Sequence, residues 1–224
     1  MSAAPELETG TKKLGVEVKE RVSLHEGFLR LYRYVFRVEK HRGGFHEVTR
    51  EIMERGDSVA VLAYDPERNE IVLCNEFRPG IKAAGEYPFG DNLVAGLIGK
   101  DESSEDAAIR EMREETGLEL RAPRVIHRGA YVSSGGTSER IVLVFGLIDA
   151  SKAGGVHGNS DESEDILTVI VPAPVFVERV QSGAINDLKT LLAGYWFAGR
   201  QHRGAGSQSR LPSATPASEA ADRD

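Results

Sequence analysis

Residues 96–118, GLIGKDESSEDAAIREMREETGL, constrain this chain more than any other stretch of it. Ser103 and Asp106 are spaced as a helix-capping pair, acidic residues fill the turn that follows, and Gly117 stands where a helix would close. The pattern predicts a helix over 103–116 that leaves a glycine-containing loop. At ~100° per residue, Glu111 and Glu115 lie one turn apart and about 40° apart around the axis, with Glu114 about 60° to the other side of Glu111. The three carboxylates share an arc of roughly 100°. Ile109 and Met112 occupy a different arc, suited to packing on a sheet, and Arg110 stands one turn before Glu114, placed to pair with it. Like charges on one face disfavour one another's ionisation. Such a face is either solvated or a seat for a hard cation, Mg²⁺ or Mn²⁺, whose octahedral oxygen shell it suits.

The rest of the chain reads as strands interrupted by a second group of helices. Residues 16–22 and 28–38 largely alternate apolar with charged or polar side chains, as half-buried antiparallel strands do, and 46–53 adds a third. These predict a small N-terminal antiparallel sheet over 14–55. Strand-like residues 59–64 and 71–77 are joined by Asp65-Pro66-Glu67-Arg68-Asn69, a turn sequence. Further strands are expected at 92–96, 125–132, 140–149 and 165–171, and helices at 174–181 and 186–197. Leu188, Leu191, Leu192, Tyr195 and Trp196 repeat at helical spacing, as a packing stripe does. Strands interleaved with helices over 56–203, with sheet pieces before them, argue for a mixed α/β or α+β class. The polar start, 1–13, is expected to be flexible. The Ala-, Ser-, Pro- and Gly-rich 204–224 is expected to be disordered, because such a segment cannot offset its ordering entropy.

Composition excludes several functions. With 28 basic and 35 acidic residues the net charge is −7, which argues against a nucleic-acid partner, since phosphate neutralisation needs a basic surplus. No apolar run approaches the ~20 residues of a bilayer span, and MSAAPELETGTKK has no apolar signal region. Cys74 is the one cysteine; it excludes an internal disulfide and reads as a small buried hydrophobe in a reducing compartment. A cytoplasmic globular protein without membrane attachment is expected.

The acidic segment also matches a named pattern. Gly96, five residues, Glu102, seven residues, Arg110-Glu111, apolar Met112, any residue, Glu114-Glu115, any residue, Gly117 and apolar Leu118 satisfy all nine positions of a 23-residue motif. The segment resembles the Nudix box of the Nudix hydrolases. The resemblance implies an α/β/α sandwich with a mixed sheet, preceded here by the small N-terminal sheet, that uses Mg²⁺ or Mn²⁺ to hydrolyse a nucleoside diphosphate linked to another group. It implies Glu111 and Glu115 as metal ligands, Glu114 as a ligand or its close support, the Ala95 carbonyl as a further ligand, and Glu102 as structural or a contact through water. An intact box counts against a binding module that senses ADP-ribose without turnover.

Outside the box, the N-terminal sheet, Arg50-Glu51, Asp65-Pro66, the string Ser133-Ser-Gly-Gly-Thr-Ser-Glu139-Arg140 and the acidic loop after His157 are similar to bacterial ADP-ribose pyrophosphatases. That resemblance implies a homodimer with shared active sites, ADP-ribose as substrate, and AMP and ribose 5-phosphate as products. It implies Glu162 as general base, Glu164 as a further metal ligand and Arg78 near the phosphates. It implies Arg50 reaching the partner's site, Glu139 on the terminal ribose and Phe28 on adenine. Ser134 stands where that subgroup has proline, which leaves GDP-mannose or a broader set of nucleoside diphosphate sugars as the rival substrate.

Overall fold

The computed structural model describes residues 12–204; the expectations for 1–11 and 205–224 fall outside the described residues. Two compact units are distinguished: the N-terminal residues to Arg55 together with Ser133–Glu139, and Gly56–Val132 together with the residues from Arg140 onward. Among the described residues no helix is long and apolar enough to cross a membrane.

The first unit is an antiparallel sheet of β1 (Val16–Glu26), β2 (Arg30–Glu39) and β3 (Phe45–Glu54) in that order. Strand β2 begins two residues later than its alternation predicts. The reversal after β1 is only three residues long, with the Gly27 N–H donating to the Leu29 carbonyl at 3.3 Å, so Phe28 is consumed by the bend. Tyr32 is the one buried side chain of the three strands; the Arg21 guanidinium covers its ring at 3.6 Å and pairs with Glu54 at 2.9 Å. Ser133–Glu139 binds β3 through its main chain. Met53 N–H donates to the Gly136 carbonyl at 2.9 Å, and Ser138 N–H to the Met53 carbonyl at 3.1 Å.

The second unit contains β4 (Ser58–Asp65), β5 (Glu70–Phe77), α1 (Pro79–Ala83), β6 (Phe89–Asn92), β7 (Val94–Leu97), α2 (Ser104–Thr116), β8 (Arg121–Tyr131), β9 (Arg140–Leu147), β10 (Val156–His157), β11 (Ile166–Pro172), α3 (Ala173–Ser182) and α4 (Leu188–Gly204). The strands form one mixed sheet, ordered β10-β11-β5-β4-β9-β8, with β6 on β5 and β7 on β4. Strands β4 and β9 pair in parallel and the other pairs are antiparallel. Period-two alternation sorts the core into two layers. Val59, Val61, Ala63, Val142 and Val144 face α2 through Ala107, Ala108 and Met112. Ala60, Leu62, Leu143 and Phe145 face α3 and α4 through Phe176, Val180 and Phe197. This is the expected α/β/α sandwich.

Local chemistry sets the element ends. The Ser103 hydroxyl accepts from the Asp106 N–H at 3.0 Å and Gly117 closes α2 in the left-handed region, φ 69°, as the sequence predicts. Asp65 holds the β4–β5 turn by accepting from the Glu67 and Arg68 N–H groups at 2.8 and 3.1 Å. Helix α4 starts at Leu188 rather than 186, because the Asp187 carboxylate accepts from the Thr190 N–H at 3.0 Å and caps it. The single strand expected at 92–96 is two, β6 and β7, and the one-turn α1 behind Pro79 is too short to leave a periodic signal.

Candidate active site

Strand β7 delivers Gly96 to the buried side of α2, while the Ala95 side chain beside it packs on the opposite core layer. Gly96 lies so close to the Glu111 carboxylate that a Cβ there would overlap it, so the absence of a side chain is what lets the carboxylate occupy this space. Arg110 ties the intervening loop to the helix. Its Nε donates to Glu102 Oε1 at 2.9 Å, its Nη2 to Glu102 Oε2 at 3.1 Å and to the Leu97 carbonyl at 3.0 Å, and its Nη1 to Glu111 Oε1 at 2.7 Å and Glu114 Oε2 at 3.2 Å. Glu102 also accepts from the Gly99 N–H at 2.7 Å. The Arg110 hydrogen bonds hold the Glu102 carboxyl below the usual carboxylate range. The expected Arg110–Glu114 pair is present, as one contact of five.

The shared arc of three carboxylates is divided by the sheet. Glu111 and Glu115 are buried, at 8% and 4% exposure, while Glu114 is exposed. Burial pushes the Glu111 carboxyl up, against the pull of Arg110. Burial, reinforced by the Glu76 and Glu111 charges, pushes Glu115 up to about 8. Glu115 Oε2 is buried without a hydrogen-bond partner.

A fourth carboxylate enters from the loop between β10 and β11. Glu164 Oε2 accepts from the Asn159 N–H at 3.0 Å, and the loop is fastened to α2 by the Gly158 N–H donating to the Glu114 carbonyl at 3.2 Å. The Glu164 charge disfavours ionisation of Glu76, Glu111 and Glu115 alike, so it lies within electrostatic reach of all three. Glu162 ends a single 3₁₀ turn, Ser160–Glu162, two residues ahead of Glu164.

Glu76 is the member of this group that no sequence pattern singled out. Val72 and Cys74 on β5 pack toward α2, and the same alternation carries Glu76 and Arg78 to that side. The signal was present as a period of two running past the strand's apolar part. Arg78 Nη2 lies 2.7 Å from Glu76 Oε1, yet Arg78 Nε and Nη2 are both buried with no aligned hydrogen-bond acceptor. Cys74 is buried and free, and burial followed by the Glu115 charge pushes its thiol far above its ordinary value, so it is no nucleophile.

In the first unit, Phe28 is 77% exposed in the β1–β2 bend. The Arg55 guanidinium lies 5.8 Å from its ring centroid and its Nε 3.8 Å from Glu139 Oε2. Arg55, which no pattern singled out, thus joins two of the expected substrate contacts. Arg50 is exposed on β3, with Nη1 donating to the Thr49 carbonyl at 2.7 Å.

Residues 54–176 match the family model of the NUDIX domain. The chain belongs to the Nudix family. It is 38% identical over 186 residues to the ADP-ribose pyrophosphatase of Escherichia coli (strain K12), covering 83% of this chain and 88% of that one. It is 32% identical over 182 residues to the GDP-mannose pyrophosphatase of Cronobacter sakazakii, covering 80% and 93%. The fold is shared with a crystal structure described as an ADP compounds hydrolase, at a TM-score of 0.65 and 17% identity over 88% of this chain and 99% of that one.

Nudix hydrolases generally depend on a divalent metal, and the chain's own residues can be tested for fit. Among the described residues no group of three or more His, Cys, Asp or Glu side chains is placed to hold a metal ion by itself. The donors are nevertheless all hard oxygens, Glu115 offers a buried oxygen that nothing else uses, and Gly96 leaves Glu111 its space. That suits a small cation which keeps waters and takes part of its shell from substrate phosphate.

Proposed function

We propose that this Nudix hydrolase cleaves the diphosphate linkage of ADP-ribose or a closely related nucleoside diphosphate sugar, releasing AMP and ribose 5-phosphate from ADP-ribose. One observation carries the reading: two buried carboxylates, Glu111 and Glu115, share a face with Arg78, whose Nε–Nη2 edge is desolvated and lacks an aligned acceptor. A guanidinium edge of that kind matches two oxygens of a phosphate. The relatives named above support the choice of substrate class.

Glu111, Glu115, Glu164 and the Ala95 carbonyl would hold Mg²⁺ or Mn²⁺, with Glu114 as a ligand or as a support acting through Arg110. Bound there, the cation neutralises the charge that develops on the phosphate oxygens. Glu162 takes a proton from the attacking water, the water oxygen bonds to one phosphorus, and the bond from that phosphorus to the bridging oxygen breaks. Arg78 holds the diphosphate in line. The Glu162–Glu164 loop closes over it and excludes bulk water. Phe28 stacks on the adenine and Glu139 accepts from the terminal ribose.

The enzyme acts as a cytoplasmic homodimer in which Arg50 of one copy reaches the other's site. The first unit supports this, because Val16, Val18 and Phe45 remain 65%, 55% and 47% exposed on a sheet that buries only Tyr32.

The test is product analysis of purified protein with Mg²⁺ and equal amounts of ADP-ribose, GDP-mannose, NADH and dATP. Preferred release of AMP and ribose 5-phosphate from ADP-ribose is expected. Preferred cleavage of GDP-mannose would move the substrate and implicate Ser134, and no turnover with either Mg²⁺ or Mn²⁺ would overturn the assignment.

A further inference from the structure

We infer that Glu76 positions Arg78, and that it does so by giving the guanidinium a carboxylate of its own. The inference rests on the reading of Arg78 as the anchor of the substrate's diphosphate.

The main chain of Arg78 has little freedom. Its N–H donates to the Pro88 carbonyl at 2.9 Å, its carbonyl accepts from the Ile81 and Lys82 N–H groups at 3.1 and 3.2 Å, and Pro79 follows it. What remains free is a long side chain, and it emerges on the face that also carries Glu111, Glu115 and Glu164. The carboxylates of that face would each attract a guanidinium that reached them. If any of them captured it, the cation would lose a ligand and the substrate would lose its anchor.

Glu76 prevents that capture. It lies two residues before Arg78 on the same side of β5, at 2.7 Å from Nη2, and both side chains are largely shielded, at 16% and 25% exposure. Its cross-strand partner on β6 is Gly90, which has no side chain to compete for the carboxylate. Of the other charges that act on it, Glu164 repels it, and Lys189 and Asp187 are paired with each other at 2.7 Å. The contact to Arg78 is an ion contact without an aligned hydrogen bond. It restrains the guanidinium while leaving N–H groups for a phosphate.

The experiment is steady-state hydrolysis of ADP-ribose at saturating Mg²⁺ by Glu76→Gln, Glu76→Ala, Arg78→Ala and the Glu76→Ala/Arg78→Ala double variant, each checked for its thermal midpoint. Glu76→Ala is expected to raise KM about tenfold with kcat changed less than about threefold, the mark of lost binding rather than lost chemistry. Glu76→Gln keeps the size of the side chain but removes the charge on which the contact depends, and should raise KM nearly as far as Glu76→Ala. In the Arg78→Ala background, Glu76→Ala should add nothing, because its effect passes through the arginine. Should Glu76→Ala fail to fold, Glu76→Ser, too short to reach the guanidinium, carries the same expectations. An equal KM increase with and without Arg78, an unchanged KM in Glu76→Ala, or a fall in kcat alone would overturn the role of Glu76 while leaving Arg78 as anchor. An unchanged KM in Arg78→Ala would instead remove the reading beneath it.

Discussion

Gly96 and Glu111 fit together as hole and occupant: the carboxylate on α2 fills the volume that any side chain on β7 would take. Gly96→Ala therefore forces Glu111 out of place. Overpacking of this kind costs about 1–3 kcal/mol, and moving a functional group by an ångström costs about a hundredfold in rate. The expected variant is folded, mildly destabilised and about a hundredfold slower in turnover. Gly199→Ala on α4, where a Cβ meets no neighbour, is the control: stability should rise by about 0.5–1 kcal/mol with turnover unchanged. Denaturant titration beside a rate assay checks both. A Gly96→Ala enzyme with full activity would show that Glu111 is not needed where it sits.

The box helix was legible because its signals are local. Ser103, Asp106 and Gly117 set its ends, and 3.6-residue periodicity sets which side chains share a face. What the sequence could not show is the sheet beneath it, which buries Glu111 and Glu115 and leaves Glu114 outside. Glu76 was hidden for a related reason. Its neighbours Glu115 and Glu164 are remote in sequence, and only the pairing of β5 with β11 and the packing of α2 bring them near. Arg55 joins Phe28 and Glu139 across similar separations. The strands of the second unit were readable from apolar runs, whereas their order, with β9 parallel to β4, depends on contacts that no local pattern records.

Glu115 makes stability depend on pH. Its folded-state value of about 8 lies above its ordinary 4.5, so between these limits the folded protein holds a proton that the unfolded chain has released. The stabilisation is full below about 4.5 and is lost as pH rises through about 8, at no more than ~1.4 kcal/mol per pH unit. Burial raises Glu111 in the same direction. Metal-free protein should thus melt lower at pH 8 than at pH 5.5, and added Mg²⁺ should restore the loss by binding the ionised form. Glu115→Gln should flatten the slope and abolish turnover. A metal-free protein whose melting temperature rises from pH 5.5 to 8 would contradict the burial of this carboxylate.

Glu162 and Glu164 stand two residues apart in one loop but are assigned different work, and they can be separated. Glu162→Gln should slow turnover by about 10²- to 10⁴-fold while Mn²⁺ affinity, read by calorimetry or paramagnetic relaxation, stays unchanged. Glu164→Gln should weaken Mn²⁺ binding as well as turnover. If Glu162→Gln kept the wild-type rate, the proton would go to another base.

Sharing of sites between copies can be tested by mixing two inactive proteins. Arg50→Ala and Glu115→Gln should each be nearly inactive alone. After mixing, subunit exchange yields half heterodimers, and each of these has one site with an intact Glu115 and an intact partner arginine. The mixture should recover about a quarter of wild-type activity. Recovery should also fail once sedimentation shows only monomer, so dilution of the mixture gives a second reading. If Arg50 served its own copy's site, one site in each heterodimer would lack the arginine and the other the glutamate, and mixing would restore nothing.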